Sequence, residues 1–384
     1  LVNSKLDHCL FLSRHFRLLQ LLKIPSLDLD FTNKETISCP RISFLHIEIE
    51  EATDEYKSYL SDYFEDLGLQ RINFFTDISN FLAYELGQPT HCYDFKKISP
   101  KITLKKSDKN SEFSPLFGKE INLHDPELVF TDKKSIINLA GVMGSKSSGC
   151  NKSTKSVLVE CAYFKPEAII GKTLKYNFVS DAAYKFERGV DPNSHEKVLR
   201  RFIQIVSDHT CIKKLGIFTK NSGEFQETSL DFDLPKINQI LGTDIEENFY
   251  KKSLRSIGFK VDDVIKVPSF RNDISHQNDI AEEIARIVGY DNLPTKKISI
   301  NFRNKEKKDF SEEIIRELLF KEGFSEVINF PFCSDKSIDS LKIDNPLDSN
   351  KSFLRTNLQN SLLQNLVFNE NRQKDLIKFY EVSN

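Results

Sequence analysis

Four carboxylates gather around the start of one short amphipathic segment: Asp273, Asp279, Glu282 and Glu283, within RNDISHQNDIAEEIARIVGYDNLP at residues 271–294. Ile280, Ile284, Ile287 and Val288 recur at i, i+4, i+7 and i+8, the spacing of a buried helical stripe that turns Glu282, Glu283 and Arg286 outward. Gly289 ends the helix. Two chemistries are open. Asp279 as N-cap with Glu282 three residues on makes a capping box, and acidic side chains suit a helix N-terminus. Alternatively Asp273, in the loop before the helix, joins the helical carboxylates in offering hard oxygen ligands to Mg²⁺.

Other constellations lie upstream. A helix ending at Gly87-Gln88-Pro89 throws His91 onto a rigid turn, where a histidine serves as a catalyst or as a surface or packing residue. Gly141, Gly144 and Gly149 follow a strand in LAGVMGSKSSG and either let the backbone approach a ligand or form a plain turn. Glu160 interrupts the apolar run SVLVECAYF; it faces solvent from a half-exposed strand or forms the wall of a pocket. A fourth segment, Ser180 to Pro192, reads SDAAYKFERGVDP.

The elements that must position these residues alternate in type. Arg41 to Ile49 and Val157 to Cys161 predict strands, whereas Tyr56 to Leu67, Asp77 to Leu86 and Asn193 to Asp208 predict helices. That mixed order implies a multidomain α+β chain rather than a wound parallel sheet. Helices are also expected at Cys9 to Leu22, Pro235 to Leu241 and Ile245 to Ile257, with a strand around Phe259 to Val261; with the acidic helix, the last three make a small winged-helix-like unit. NKEKKD, Asn304 to Asp309, predicts a solvated linker. Beyond it, Ser311 caps a helix closed by Gly323, and strands are expected at Glu326 to Phe330 and Ile377 to Val382.

At 384 residues the chain suggests two to four domains, and its 54 basic against 56 acidic residues exclude a bulk electrostatic pull on nucleic acid. Seven scattered cysteines without a C-x-x-C pair argue against a disulfide framework and a zinc site, and fit a reducing cytosol. No apolar run has the length of a membrane span. The chain starts at leucine, and Met143 is its single methionine, so it reads as a fragment.

Five motifs, in order, resemble the beta subunit of bacterial phenylalanyl-tRNA synthetase. They are E-L-G-Q-P-x-H ending at His91, the glycine cluster, V-L-x-E-C-A around Glu160, E-R-G-V-D-P at Glu187 to Pro192, and the Pro268 to Pro294 segment ending A-R-I-x-G-Y-x-N-x-P. The likeness extends from a weak match at Asn3 to Leu12 to F-L-R-T-N-L-Q-N-S-L-L and N-E-N-R near the end. It implies a remnant of an N-terminal domain at 1–38, an α/β tRNA-editing domain at 39–222, a winged-helix-like domain at 223–297, and at 298–384 the start of a class II synthetase-like antiparallel-sheet core that binds no adenylate. The family's oligonucleotide-binding insert and anticodon-reading domain have no counterpart in the sequence.

Carried over by position, the resemblance assigns an editing pocket to Ser79, Asn80, His91, Gly144, Glu160, Ser180 and Ala182, and Mg²⁺ ligands to Asp273, Asp279, Glu282 and Glu283. The sequence departs from the family at Ser79 and Ser180, where threonine is more usual, at Ala183 and Tyr184, where serine and histidine are, and at Ser145, which replaces a second glycine. The implied function is that of a cytoplasmic aminoacyl-tRNA ligase subunit. In an alpha2beta2 heterotetramer it would support ATP-dependent charging of tRNA(Phe) by the alpha subunit and hydrolyse mischarged Tyr-tRNA(Phe). Against this stand a non-editing scaffold for the alpha subunit and a winged-helix nucleic-acid-binding module, which the acidic start of the helix disfavours.

Overall fold

The computed structural model describes residues 23–133, 135–223, 225, 227–295, 311–334 and 339–383. The expected helix Cys9 to Leu22 and linker Asn304 to Asp309 lie outside them. The chain divides into two compact units, Leu1–Thr295 and Lys296–Asn384.

The first unit begins with β1 (Asp30–Asn33), β2 (Arg41–Ile49), α1 (Ser58–Asp66), α2 (Phe74–Glu85), β3 (Thr90–Asp94) and β4 (Lys101–Lys106). The hairpin β5 (Ser111–Phe113) and β6 (Ile121–Leu123) follows, then β7 (Leu128–Thr131), β8 (Ile136–Leu139), β9 (Met143–Gly144) and β10 (Ser156–Tyr163). The segment closes with α3 (Lys172–Tyr176), α4 (Asp181–Arg188), α5 (His195–His209) and β11 (Ile212–Asn221). One sheet is wholly antiparallel in the order β11-β2-β10-β3; a second runs β1-β4-β7-β8-β9 and is antiparallel except for β1 on β4.

The central strands β2 and β10 are buried along almost their whole length because both their faces are covered, even though β2 carries Ser43 and His46 among its apolar residues. Side-chain alternation then splits the core. Leu45, Ile47, Val157, Val159 and Cys161 pack under α2 and α5, against Ile78, Phe81, Leu82, Val198 and Phe202. The opposite parity, Ile42, Phe44, Leu158 and Ala162, faces the second sheet through Leu104, Phe130, Ile137 and Leu139. Glu160 shares that parity, so it stands between the two sheets. Asn73 caps α2 by accepting from the Thr76 N–H at 3.1 Å, and Arg201 on α5 donates twice to Glu85 on α2, both at 2.9 Å.

The rest of this unit contains β12 (Ser229–Asp231), α6 (Leu234–Leu241), α7 (Glu247–Ser256), β13 (Lys260–Val261), β14 (Val264–Lys266) and α8 (Gln277–Val288). Three strands in the order β12-β14-β13 and three helices bury Ile237, Tyr250, Leu254, Ile265, Ile280 and Ile284 together. Helix α8 departs from the sequence reading in three respects. It starts earlier, with His276 as N-cap, so Asp279 is the third helical residue; its Oδ2 accepts from the N–H groups of Ser275 (2.7 Å) and His276 (2.9 Å). Ile287 is 36% exposed, its place on the buried face being taken by Ala281. Glu283 is buried, only 6% exposed, rather than turned outward.

The second unit, taken by itself, contains α9 (Ser311–Lys321), β15 (Ser325–Glu326), β16 (Phe332–Cys333), β17 (Phe353–Leu354), α10 (Gln359–Glu370) and β18 (Phe379–Tyr380). The two strands expected at 326–330 and 377–382 shorten to β15 and β18, which pair in parallel, while β16 and β17 are antiparallel. Arg355 donates to both carboxylate oxygens of the buried Glu381 (3.2 and 2.7 Å), and Asn329 donates to the same group. No helix among the described residues is long and apolar enough to cross a membrane.

Candidate functional site

Strand pairing sets the first cluster. Glu160 on β10 lies directly opposite His91 on β3, and Tyr93, two residues along, occupies the same face as His91. The His91 and Tyr93 rings meet edge-on with centroids 4.5 Å apart. Gly144 closes over His91 so tightly that a Cβ there would sit 2.2 Å from Cε1 and 2.6 Å from Nε2. Only glycine lets the turn and the imidazole occupy this space.

Glu160 is 4% exposed. Its Oε2 accepts from the Tyr93 hydroxyl at 2.5 Å and from Asn138 Nδ2 at 3.2 Å, and Asn138 Nδ2 also donates to the Tyr93 oxygen at 2.9 Å. Burial pushes the Glu160 carboxyl up to about 7, against the pull of those two donors. His91 is half-buried as a residue, but its Nε2 is shut off from solvent and has no hydrogen-bond partner among the described residues. Desolvation pushes that imidazole down to about 4, so it is neutral at pH 7.

Two small cavities adjoin these groups and share Pro89, Thr90 and Ala182 as a wall. The first, about 50 Å³, is lined by His91, Asn138, Gly144, Glu160 and Phe186; the second, about 130 Å³, by Ser79, Asn80, Tyr84, Asp181 and Lys185. The Ser79 hydroxyl is committed to Thr90, donating to its carbonyl at 2.6 Å and lying 2.8 Å from its Oγ1. Ser180 lines neither cavity. Its Oγ accepts from the Ala183 N–H (3.2 Å) as cap of α4 and donates to the Val142 carbonyl (2.6 Å), pinning that helix to the glycine turn. Ala183 is buried beneath α4, and Tyr184 is exposed with Arg188 stacked on its ring, so neither unusual residue lines the cavities. Tyr93, Asn138 and Thr90 were not anticipated from the sequence.

The acidic cluster is arranged differently from a cation cage. Arg271 donates to both oxygens of Asp273 (2.9 and 2.7 Å) and to Glu283 Oε1 (2.9 Å), and Arg286 donates to Glu283 Oε2 (2.5 Å). These guanidinium bonds, Arg271 first, hold both carboxyls below the usual range, whereas Asp279 is lowered chiefly by the N–H groups it caps. Glu282 is exposed. A guanidinium thus stands between the two acids that do meet, and among the described residues no three His, Cys, Asp or Glu side chains group as a metal site. The four carboxylates so arranged do not fit one Mg²⁺ ion.

Residues 38–211 match the family model described as the B3/4 domain, 230–290 the tRNA synthetase B5 domain, and 293–384 the phenylalanyl tRNA synthetase beta chain CLM domain. The chain is similar to the phenylalanine–tRNA ligase beta subunits of Photorhabdus laumondii (30% identity, 90% of this chain and 46% of that protein) and Psychrobacter arcticus (30%, 90% and 45%). That of Shewanella oneidensis is 28% identical over 91% of this chain and 46% of its own length. The chain spans about half the length of these curated relatives. With matching models in series along 38–384 and one name among these relatives, the chain belongs to the phenylalanyl-tRNA synthetase beta-subunit family.

Proposed function

We propose that the chain acts as the beta subunit of a phenylalanine–tRNA ligase, partnering an alpha subunit and tRNA(Phe), and that the cleft between its two large sheets hydrolyses Tyr-tRNA(Phe). The observation that carries this reading is the Glu160 carboxylate, buried between those sheets beside Gly144 and the unpartnered Nε2 of His91. A synthetic pocket made for phenylalanine rejects tyrosine weakly, since one extra hydroxyl costs little in an apolar site. A second pocket with a buried acceptor reverses the preference. Tyrosine gives a donor to the Glu160 oxygen that Tyr93 and Asn138 leave free, and phenylalanine leaves it without one.

The reaction is attack of water on the aminoacyl ester carbonyl, releasing tyrosine and the tRNA terminal hydroxyl. Asn80 and neutral His91 have polar atoms to spare for the terminal adenosine and the water, so positioning supplies the rate, and no side chain is assigned as general base. Ser79 and Ser180 hold the walls in place. The first cavity, about 50 Å³, is well below the roughly 150 Å³ of a cavity that takes a benzene ring. Entry of a tyrosyl ring therefore requires the wall of Thr90 and Ala182 to yield and join the two cavities. The same small volume favours the second reading, a scaffold that supports the alpha subunit without editing.

Deacylation of Tyr-tRNA(Phe) and Phe-tRNA(Phe) by the parent and by Ala182→Trp separates the two. Rapid loss of the tyrosyl ester with the parent, abolished in the variant, supports editing. Hydrolysis of neither ester by the parent leaves the scaffold.

A further inference from the structure

Glu160 already holds a phenol. The Tyr93 hydroxyl donates to Oε2 at 2.5 Å, Asn138 Nδ2 donates to the same oxygen at 3.2 Å and braces the phenol oxygen at 2.9 Å, and Oε1 has no donor among the described residues. Tyr93 is wholly buried and Asn138 is 3% exposed, so neither donor has water as an alternative partner. An oxygen that accepts two protein donors is a poor acceptor for a third.

We propose that Tyr93 and Asn138 are positioning residues of this site: they commit Oε2 of Glu160 to the protein and leave Oε1 as the acceptor that meets a ligand hydroxyl. The proposal rests on the editing reading only for the identity of that ligand. It has a second consequence. With Oε2 taken by two donors, a proton added to the carboxyl goes to Oε1, which then offers a donor where the ligand hydroxyl needs an acceptor. Two donors on Oε2 favour the ionised form, against a burial that opposes it.

The neighbouring titratable groups do not substitute for these donors. His91 and Cys92 on β3, Cys161 on β10 and Cys39 before β2 are all driven toward their neutral forms by burial, His91 downward and the thiols upward. From β9 and α4 the facing side chains are the apolar Met143 and Phe186. Among the described residues none of these supplies a positive charge at Glu160. Tyr93 and Asn138 thus set the pH range in which the site selects a hydroxyl.

The test is a carboxyl ¹³C NMR titration of the full chain labelled at glutamate, with Glu160→Gln to assign the signal, in the parent, Tyr93→Phe and Asn138→Ala. The parent midpoint is expected near 7, and each variant is expected to raise it by about one pH unit. The pH at which preference for the tyrosyl over the phenylalanyl ester is lost should rise in step. A merely structural role would lower the melting temperature without moving either midpoint; if one variant does not fold, the other decides. Midpoints that stay or fall in the folded variants overturn the proposal. Raised midpoints in a protein that hydrolyses neither ester would reject editing alone, and selective hydrolysis with unmoved midpoints would reject the positioning role alone.

Discussion

Replacing Glu160 by glutamine removes a charge from the interior while keeping the side chain's shape, and its effect on stability follows from the geometry. In an unfolded chain the carboxyl titrates near its ordinary 4.5, whereas in the folded protein burial raises it to about 7. A group raised on folding contributes stability that is fully present below the unfolded value and is lost as pH rises through the folded one. The gap between 4.5 and about 7 corresponds to about 3 kcal/mol at roughly 1.4 kcal/mol per tenfold change. Glu160→Gln, which does not titrate, should therefore gain on the parent progressively from about pH 4.5 to 7 and hold a constant advantage above that. Because the chain has two units, a local probe is preferable to a global melt. Hydrogen exchange of the peptide Ser156–Tyr163 along a urea series, at several pH values, reads the opening of β10. A difference between variant and parent that does not change with pH, or that shrinks as pH rises, would refute a carboxylate buried at this position.

Gly144→Ala should displace the His91 ring, since the added Cβ falls 2.2 Å from Cε1, and histidine NMR should show that ring's signals moved with tyrosyl-ester hydrolysis lost. His91 in the parent should titrate near 4 rather than 6.5, its contribution to stability being present above 6.5 and lost as pH falls through 4; a midpoint above 6 would mean the ring is solvated. Arg271→Gln leaves the buried Glu283 with Arg286 alone and should destabilise α8 by about 1–3 kcal/mol. Added MgCl₂ should raise the melting temperature of that variant and not of the parent; a strong response in the parent would show that the carboxylates rearrange around the metal in spite of Arg271.

The central strands and the longer helices α1, α2, α5, α6, α7 and α8 were legible in the sequence because each is a long or strongly periodic pattern, whereas the short α3 and α4 were not read as helices. Glu160 stood out as the one carboxylate in an apolar run, and its parity with Leu158 and Ala162 places it between the sheets. Tyr93 and Asn138 were hidden for a different reason. Each is an ordinary residue within its own strand, and their meeting at Glu160 depends on how β3, β8 and β10 are arranged, which local periodicity does not encode. In α8 the stripe slipped because the cap lies at His276 and because Glu283 is neutralised by Arg271 from the preceding loop, a partner twelve residues away in sequence. Short strands in the second unit were overextended, their apolar runs outlasting the two-residue pairings of β15 and β18.

The most direct test of the central claim is the ratio of kcat/KM for hydrolysis of Tyr-tRNA(Phe) over Phe-tRNA(Phe), measured in the parent and in Glu160→Ala. One unmade hydrogen bond at a buried acceptor is worth about 1–3 kcal/mol, so the ratio should exceed one in the parent and fall by about 5- to 150-fold in the variant. A parent that hydrolyses both esters equally, or a ratio that survives removal of the carboxylate, would contradict it.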